Sequence, residues 1–250
     1  MWVILTVALY WGFDTKSIGQ KKELASRALS GTQVDVGPII NTAKESLAVQ
    51  DLQEINALEG VVEGGAKDTL RVNYLKQLSG KWYKLQEFLI AGHYATLVAE
   101  TEPTGEHWSI AGTTYIPGIA NQDPILSKAC FQGAVSALEN AISLDPEQIN
   151  HRVNLALAYT ERPPEDNPMK GIQMLLNLDK KHPDELVVLT TLGRLAMKTG
   201  QMDRAKERLE RAVELDPNYV RAVCLLAELY RQTSDLRADE LAEKCELINN

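Results

Sequence analysis

The chain has 250 residues, of which 44% are hydrophobic and 24% charged, enough for one sizeable core or an extended helical stack. Its formal net charge of −8 argues against a general attraction to nucleic acid, so no nucleic-acid partner is expected. The three cysteines, Cys130, Cys224 and Cys245, are odd in number and lack C-x-x-C spacing. They predict free or buried thiols rather than a disulfide framework or a zinc site.

The first feature along the chain is an uncharged stretch of twelve residues, Trp2–Phe13. As a helix it would be about 18 Å long, whereas a bilayer core is about 30 Å thick. Three interpretations stay open: a membrane anchor whose upstream part precedes this sequence, a helix docked at an interface or on a partner, and a buried core helix. We favour the anchor, with Trp2, Tyr10, Trp11 and Phe13 as candidate membrane or docking residues, because amphipathic rings settle at membrane interfaces.

Residues 14–66 are predicted to be a helical spacer without repeats. Its basic residues near the apolar stretch favour a cytoplasmic location for the flank and the domain behind it, although Asp14 and Glu23 dilute the cluster and a periplasmic location stays open. Helices are predicted from Gly37-Pro38 to Leu47 and from Asp51 to Val62, with a break at Gly64-Gly65.

The next segments are less regular. A helix predicted over Asp68–Leu78 ends at Ser79-Gly80, and residues 82–103 are predicted to be a degenerate hairpin interrupted at Gly92. Residues 105–148 are predicted to be an expanded hairpin, whose extension lies in Ile116–Lys128. A smaller insertion between residues 161 and 168 contains three prolines, which disfavour a regular helix there.

The most regular segment is 186–217. Leu189, Leu192, Leu195 and Ala196 form one apolar helical face, and Gly200 ends that helix. A second helix follows, whose apolar stripe consists of Ala205, Leu209, Ala212, Val213 and Leu215. The same pattern returns after 34 residues, the distance that separates Pro183 from Pro217. A related pattern, Trp108-x-x-Ala111-Gly112-x-x-Tyr115, opens the expanded hairpin.

This period and these spacings resemble the tetratricopeptide-repeat (TPR) family. The layout also resembles uncharacterised bacterial membrane-anchored TPR proteins. The resemblance implies an all-α fold: a right-handed TPR-type solenoid of helical hairpins, preceded by an apolar N-terminal helix (1–13) and a helical spacer (14–66). The repeat domain would cover residues 67–250, with hairpins at 82–103, 105–148, 149–185, 186–217 and 220–250.

In that family the first helix of each hairpin lines a concave surface that accepts extended peptides or a partner's helix. Carried over by position, the partner-binding residues would be Asn150, Asn154, Leu157, Thr190, Arg194, Lys198, Arg221, Glu228 and Arg231. The basic members could hold an acidic segment, and solvated polar positions are the alternative. The lysine-and-asparagine clamp of chaperone-binding TPR domains is not reproduced, because Val153 and Leu157 occupy its positions in the Asn154 hairpin.

No arrangement of residues typical of catalysis occurs in the sequence. The four histidines show no metal-ligand spacing and there is no phosphate-binding glycine motif, so no metal, no cofactor and no enzymatic activity are expected. Two functions stay open. One is a membrane-tethered scaffold that recruits a protein or peptide partner, and the other is a permanent structural subunit of a larger assembly, held through Ile116–Lys128 and the convex face. Self-association is compatible with either function.

Overall fold

The computed structural model describes residues 34–65 and 68–249 of the chain. Within that part of the chain the backbone forms twelve α-helices and one 3₁₀-helix, with no strand, which confirms the predicted all-α fold. None of the helices in these ranges is both long enough and apolar enough to cross a membrane. The predicted apolar helix at 1–13 and the first part of the spacer lie outside the described residues.

The helices are named here in chain order. Two helices come first, α1 (Val36–Glu45) and α2 (Val49–Glu63). Pairs of helices follow: α3 (Asp68–Lys84) with α4 (Phe88–Thr101), α5 (Gly105–Tyr115) with α6 (Pro124–Leu144), α7 (Ile149–Glu161) with α8 (Lys170–Lys181), α9 (Leu186–Lys198) with α10 (Met202–Leu215), and α11 (Val220–Gln232) with α12 (Ala238–Asn249). The 3₁₀-helix, Ile116–Ala120, connects α5 to α6.

The pairs are hairpins that stack in sequence order. Within each pair the two helices pack together, and each pair also packs against the next one. The first helices α5, α7, α9 and α11 contact one another in turn, so they form one continuous row. Apolar side chains of neighbouring hairpins share clusters, as where Val153 of α7 joins Val188 and Leu192 of α9. The predicted solenoid of helical hairpins is therefore confirmed.

Glycines allow the helices of a hairpin to approach closely. A Cβ atom at Gly112 of α5 would lie 2.5 Å from Leu138 Cγ of α6, and one at Gly193 of α9 would lie 2.8 Å from Leu209 Cγ of α10. Real Cβ atoms do not approach other atoms so closely, because the repulsion is too large. Both leucines are completely buried. The same glycine–leucine contact thus recurs in two hairpins and sets the distance between their helices.

The break predicted at Ser79-Gly80 and the interruption predicted at Gly92 are wrong. Both α3 and α4 run through these residues without interruption, and the chain turns at Gln86, whose φ is +63°. Ser79 Oγ donates to the carbonyl oxygen of Ala91 at 2.9 Å, which joins the two helices. A Cβ at Gly92 would lie 2.3 Å from the ring of Tyr115, so this glycine serves a tertiary contact. The hairpin is α3 with α4, and it starts earlier than the predicted 82–103.

The predicted extension Ile116–Lys128 is also shorter than expected. After the 3₁₀-helix, Asp123 caps α6 by accepting hydrogen bonds from the backbone N–H groups of Ile125 and Leu126, at 2.7 and 3.3 Å. Proline at the first position of α6 suits a helix start. The last residues of the extension therefore belong to a helix. By contrast, the proline-rich insertion is non-helical as predicted, since α7 ends at Glu161 and α8 begins at Lys170.

The helices of the spacer that are described, α1 and α2, lie within two residues of their predicted bounds. They are joined to the repeats by polar contacts. Lys44 of α1 forms an ion pair with Glu59 of α2, and the hydroxyl of Tyr94 in α4 donates to the other oxygen of Glu59 at 2.7 Å. Burial, with help from this carboxylate, raises the pKa of Tyr94, so the hydroxyl keeps its proton.

The cysteine prediction is wrong for two of the three residues. Cys224 of α11 and Cys245 of α12 form a disulfide, with their Cα atoms 5.0 Å apart, whereas Cys130 is a buried free thiol. The bond lies where side-chain packing is weak: α12, like α1, has no fully buried residue, whereas α10 buries Ala205, Leu209 and Ala212. The disulfide therefore attaches the last helix to the solenoid.

The turn before α12 is fixed by charge. Arg237 donates to both carboxylate oxygens of Asp235, at 3.0 and 2.8 Å, and its guanidinium lies 4.3 Å from the ring centroid of Tyr230. The hydroxyl of Tyr230 donates in turn to Glu210 of α10. The Arg237 guanidinium holds the pKa of Asp235 well below its usual range. This network ties the start of α12 to α10.

A histidine is buried at the start of α7. His151 is 4% exposed, and neither ring nitrogen has a hydrogen-bond partner among residues 34–65 and 68–249. Burial lowers the pKa of the His151 ring, with a smaller opposing effect from Asp145 and a reinforcing one from Arg152. Burial also lowers the pKa of His93 in α4. Both rings are therefore neutral in the folded chain at neutral pH.

We expect Gly193→Ala to destabilise the chain by about 1–3 kcal/mol, because the new Cβ overpacks the contact with Leu209. The matched control is Gly80→Ala, in the middle of α3, where a Cβ would meet nothing within 4 Å. That change should be neutral or stabilising by up to about 1 kcal/mol, since alanine favours helix more than glycine does. Urea unfolding of both variants decides: equal midpoints would refute the close-contact explanation.

Replacing both Cys224 and Cys245 by serine should lower the free energy of unfolding of the C-terminal hairpin by about 3 kcal/mol. The estimate follows from the loop that the bond closes, given a sequence separation of 21. Hydrogen exchange measured by mass spectrometry should show faster exchange in α12 and unchanged exchange in α3–α8. Unchanged protection of α12 would mean that side-chain packing alone holds this helix.

The free energy of unfolding should fall as the pH drops below about 6.5, which is the usual pKa of a histidine side chain. The unfolded chain then takes up protons that the buried rings of His151 and His93 take up less readily, so acid favours unfolding. His151→Leu should reduce this dependence between about pH 6.5 and 5. Thermal melts of the unchanged protein and of the variant at several pH values test this, and equal pH slopes in the two proteins would contradict it.

Candidate functional site: the first-helix surface

The side chains that α5, α7, α9 and α11 expose form one surface, here called the first-helix surface. Two contacts show that neighbouring helices meet along it. Asn154 of α7 donates to Ser109 Oγ of α5 at 3.4 Å, and Lys198 Nζ of α9 lies 3.6 Å from Glu161 Oε1 of α7. These side chains occupy equivalent faces of successive hairpins. A ligand lying across the row would therefore contact several helices at once.

The structure places most of the predicted partner-binding residues on this surface. Six of them are exposed: Asn150, Arg194, Lys198, Arg221, Glu228 and Arg231. Asn154 and Leu157 are half-buried. Whether these residues bind a partner stays a prediction, but their side chains are accessible on the same row of helices.

Thr190 does not belong to this set. Its side chain is completely buried, and its hydroxyl donates to the carbonyl oxygen of Leu186 at 2.7 Å. The equivalent residue one hairpin earlier, Val153, is buried too, at 1% exposure. This position of the repeat packs between consecutive first helices, so its side chain cannot reach a partner. The sequence pattern places Thr190 on the correct face but does not show how closely the next helix packs.

The charged side chains of the first-helix surface fall into two groups. Lys198 lies near Glu161, and Glu228 accepts a hydrogen bond from Gln232 at 3.1 Å. Three arginines, namely Arg194, Arg221 and Arg231, form no ion pair with any residue in the described ranges. The surface thus carries a surplus of available positive charge on α9 and α11, although the chain as a whole is acidic.

Some cations of the second helices are ion-paired. On α10, Arg211 pairs with Asp184 at 2.9 Å and with Glu214 at 3.5 Å, and Lys206 lies 3.5 Å from Asp235. These pairs hold neighbouring elements together. Other cations of the second helices, among them Lys180 and Lys181 of α8, form no ion pair in the described ranges, so unpaired cations occur on both rows of helices.

A groove of about 590 Å³ lies at the C-terminal end of this surface. Its lining includes the predicted residues Arg221 and Glu228, together with Cys224, Leu225 and Tyr219. The far end of α12, at Asn249, closes one side. Leu225 and Cys224 are not among the predicted surface residues, although they follow Arg221 by four and three positions and therefore lie near it on the helix face.

The remaining predicted sites receive no structural description. Trp2, Tyr10, Trp11 and Phe13 lie outside the described residues. In the part of the chain that the structure covers, no three histidine, cysteine, aspartate or glutamate side chains come close enough together to hold a metal ion.

Comparison with known proteins agrees with this geometry. A family model described as "Tetratricopeptide repeat" matches residues 187–219, which cover α10 and all but the first residue of α9. No curated protein sequence matches the chain. Proteins of this repeat family are generally non-enzymatic scaffolds for protein interactions.

Several solved structures are similar to this chain at low sequence identity. One is a crystal structure of MamA, with 17% identity over 69% of this chain and 94% of that one, and a TM-score of 0.41. A second is TTC0263, a thermophilic TPR protein of Thermus thermophilus, with 16% identity, coverage of 71% and 95%, and a TM-score of 0.48. A third is MamA, residue 41 to its end, from Desulfovibrio magneticus RS-1, with 15% identity, coverage of 71% and 92%, and a TM-score of 0.37.

Proposed function

We propose that this chain, in which residues 187–219 match the tetratricopeptide-repeat family model, is a non-enzymatic scaffold that binds a protein or peptide partner through the first-helix surface. The observation that carries this proposal is the set of available cations, Arg194, Arg221 and Arg231, on a continuous row of helices. Charged side chains without intramolecular partners can bind a partner without first breaking ion pairs.

The proposal includes a membrane tether formed by the N-terminal apolar segment. Its support is the sequence: twelve uncharged residues, Trp2–Phe13, would be costly to expose to water, and a polar stretch separates them from α1. We place the repeats in an oxidising compartment, because disulfides such as Cys224–Cys245 persist there and are rare in the cytosol. This placement differs from the cytoplasmic location that the basic flank favours.

The alternative function, a permanent structural subunit held through Ile116–Lys128, has weaker support. Ile119 and Ser127 are buried in the core of the chain itself, and Ser127 Oγ donates to the carbonyl oxygen of Ile119 at 2.6 Å. These two residues are occupied by the fold of the chain itself, whereas residues 120–125 and Lys128 are exposed.

Partner capture tests the proposed binding surface. Full-length protein in a neutral detergent should retain a specific partner from its own cells, and the double variant Arg194→Glu/Lys198→Glu should lose it. The matched control is Arg204→Glu/Arg208→Glu on α10, which reverses two charges on a second helix and should retain the partner. Quantitative mass spectrometry measures the bound fraction. Equal retention by both variants would contradict a first-helix site.

Deletion of residues 1–13 tests the tether. Because the repeats fold through their own clusters, the shortened chain should be released from the membrane fraction with an unchanged melting temperature. A full-length protein that is soluble without detergent, and that becomes less stable on deletion, would contradict the anchor. Alkylation of whole-cell protein before lysis checks the compartment: Cys224 and Cys245 should stay unmodified unless a reductant is added first.

A further inference from the structure

A second groove, of about 350 Å³, lies on the surface of α6 near the start of that helix. We call it the entry groove, and its lining consists of Val34, Pro124, Ile125, Lys128, Ala129, Gln132 and Arg162. Arg162 directly follows α7 and donates to Ser127 Oγ of α6 at 2.9 Å, which fixes one side of the groove. The entry groove contains none of the predicted partner-binding residues, so it is a separate candidate surface.

The middle of the entry groove is apolar and open to solvent. Ile125 is 63% exposed, and Ala129 follows it by one helical turn on the same face of α6. A single exposed aliphatic side chain is common on protein surfaces. Here, however, Ile125, Ala129 and Val34 line one concave surface, which favours an occupant with apolar side chains.

The chain itself enters the described structure at this groove. Val34 is the first described residue, it belongs to the lining, and it packs against the buried cluster that contains Ile119 and Cys130. The 33 residues that precede Val34 in the sequence are therefore attached at the groove. A segment tethered in this way has an effective concentration of the order of millimolar at its site, which gives it an advantage over a free partner.

The sequence just before Val34 supplies apolar side chains in a suitable pattern. Four of them have the spacing of one helix face, namely Leu24, Ala25, Ala28 and Leu29. Residues 23–33 carry one acidic and one basic side chain, Glu23 and Arg27, so the cations of the lining neither repel nor select this segment. These residues lie outside the described part of the chain.

The length of the connection allows the segment to reach the whole groove. Leu29 precedes Val34 by five residues, which span at most about 18 Å when fully extended. The part of α6 that lines the groove runs from Pro124 to Gln132, which is about 12 Å along the helix axis. Leu29 can therefore contact Ile125 and Ala129 without any movement of Val34.

We propose that residues 23–33 of the same chain occupy the entry groove, with the side chain of Leu29 against Ile125 and Ala129. The first-helix surface stays free for a partner, so the inference goes beyond the proposed function. One consequence rests on that function, because it requires the membrane tether. With residues 23–33 docked, only residues 14–22 connect the apolar segment to the solenoid, and they span at most about 30 Å, so the start of α6 would face the membrane.

Photo-crosslinking of the full-length protein, purified in a neutral detergent, tests the occupant. A photoreactive phenylalanine analogue at Ile125 should crosslink to residues 23–33, whereas the same analogue at Ile110 of α5, which is 49% exposed, should not. An equal mixture of unlabelled and ¹⁵N-labelled protein shows by mass spectrometry whether the crosslink joins one copy or two. The inference predicts a crosslink within one copy.

A pair of matched variants tests the apolar contact. Leu24→Asp/Leu29→Asp should reduce the crosslink from position 125 by at least about fivefold, because two apolar side chains are lost from the groove. Ser26→Asp/Ser30→Asp adds the same charges away from the apolar face of the segment and should leave the yield unchanged. Circular dichroism checks that both variants keep their helices.

Each of the other outcomes would overturn the inference. A crosslink from position 125 to a second copy would assign the groove to self-association, and a crosslink to another segment, or none at all, would remove residues 23–33 as the occupant. Equal yields from the leucine and serine variants would exclude the apolar contact. These results do not depend on the first-helix surface, whose failure would appear separately in the partner capture with Arg194→Glu/Lys198→Glu.

Discussion

The regular part of the structure depends on the close approach of two helices within the hairpins α5–α6 and α9–α10. Gly193 lets the backbone of α9 come within reach of Leu209, and Gly112 of α5 does the same for Leu138. This contact buries both leucines completely and fixes the separation of the helices. A hairpin held in this way still has apolar residues on its sides, so it becomes stable only by packing against its neighbours. The row of first helices, and with it the candidate binding surface, follows from that stacking.

The end of the solenoid is stabilised differently. No further hairpin covers α11 within the described residues, and α12 has no fully buried residue that could compensate. A disulfide and a charge network at Asp235, Arg237 and Tyr230 take the place of apolar packing there. Since α12 also closes one side of the groove next to Arg221, the same bonds that hold the last helix also shape this groove in the first-helix surface.

Sequence patterns predicted the regular hairpins because periodicity and helix-ending glycines are local signals, as at Gly200, whose φ is +73°. They failed where the role of a residue depends on its contacts with another helix. Gly92 looks like a helix break but accommodates the ring of Tyr115, and Thr190 looks accessible but is covered by the neighbouring helix. No sequence pattern predicted the disulfide, because 21 residues separate its cysteines and they come together only when α11 and α12 pack against each other.

The central claim is that partners bind the first helices and not the second helices. The most direct measurement is photo-crosslinking in cells, with a photoreactive phenylalanine analogue placed either at Arg194 of α9 or at Leu176 of α8, both exposed positions. The account predicts a discrete crosslinked product from position 194 and none from position 176. A product that forms at 176 and is absent at 194 would contradict it.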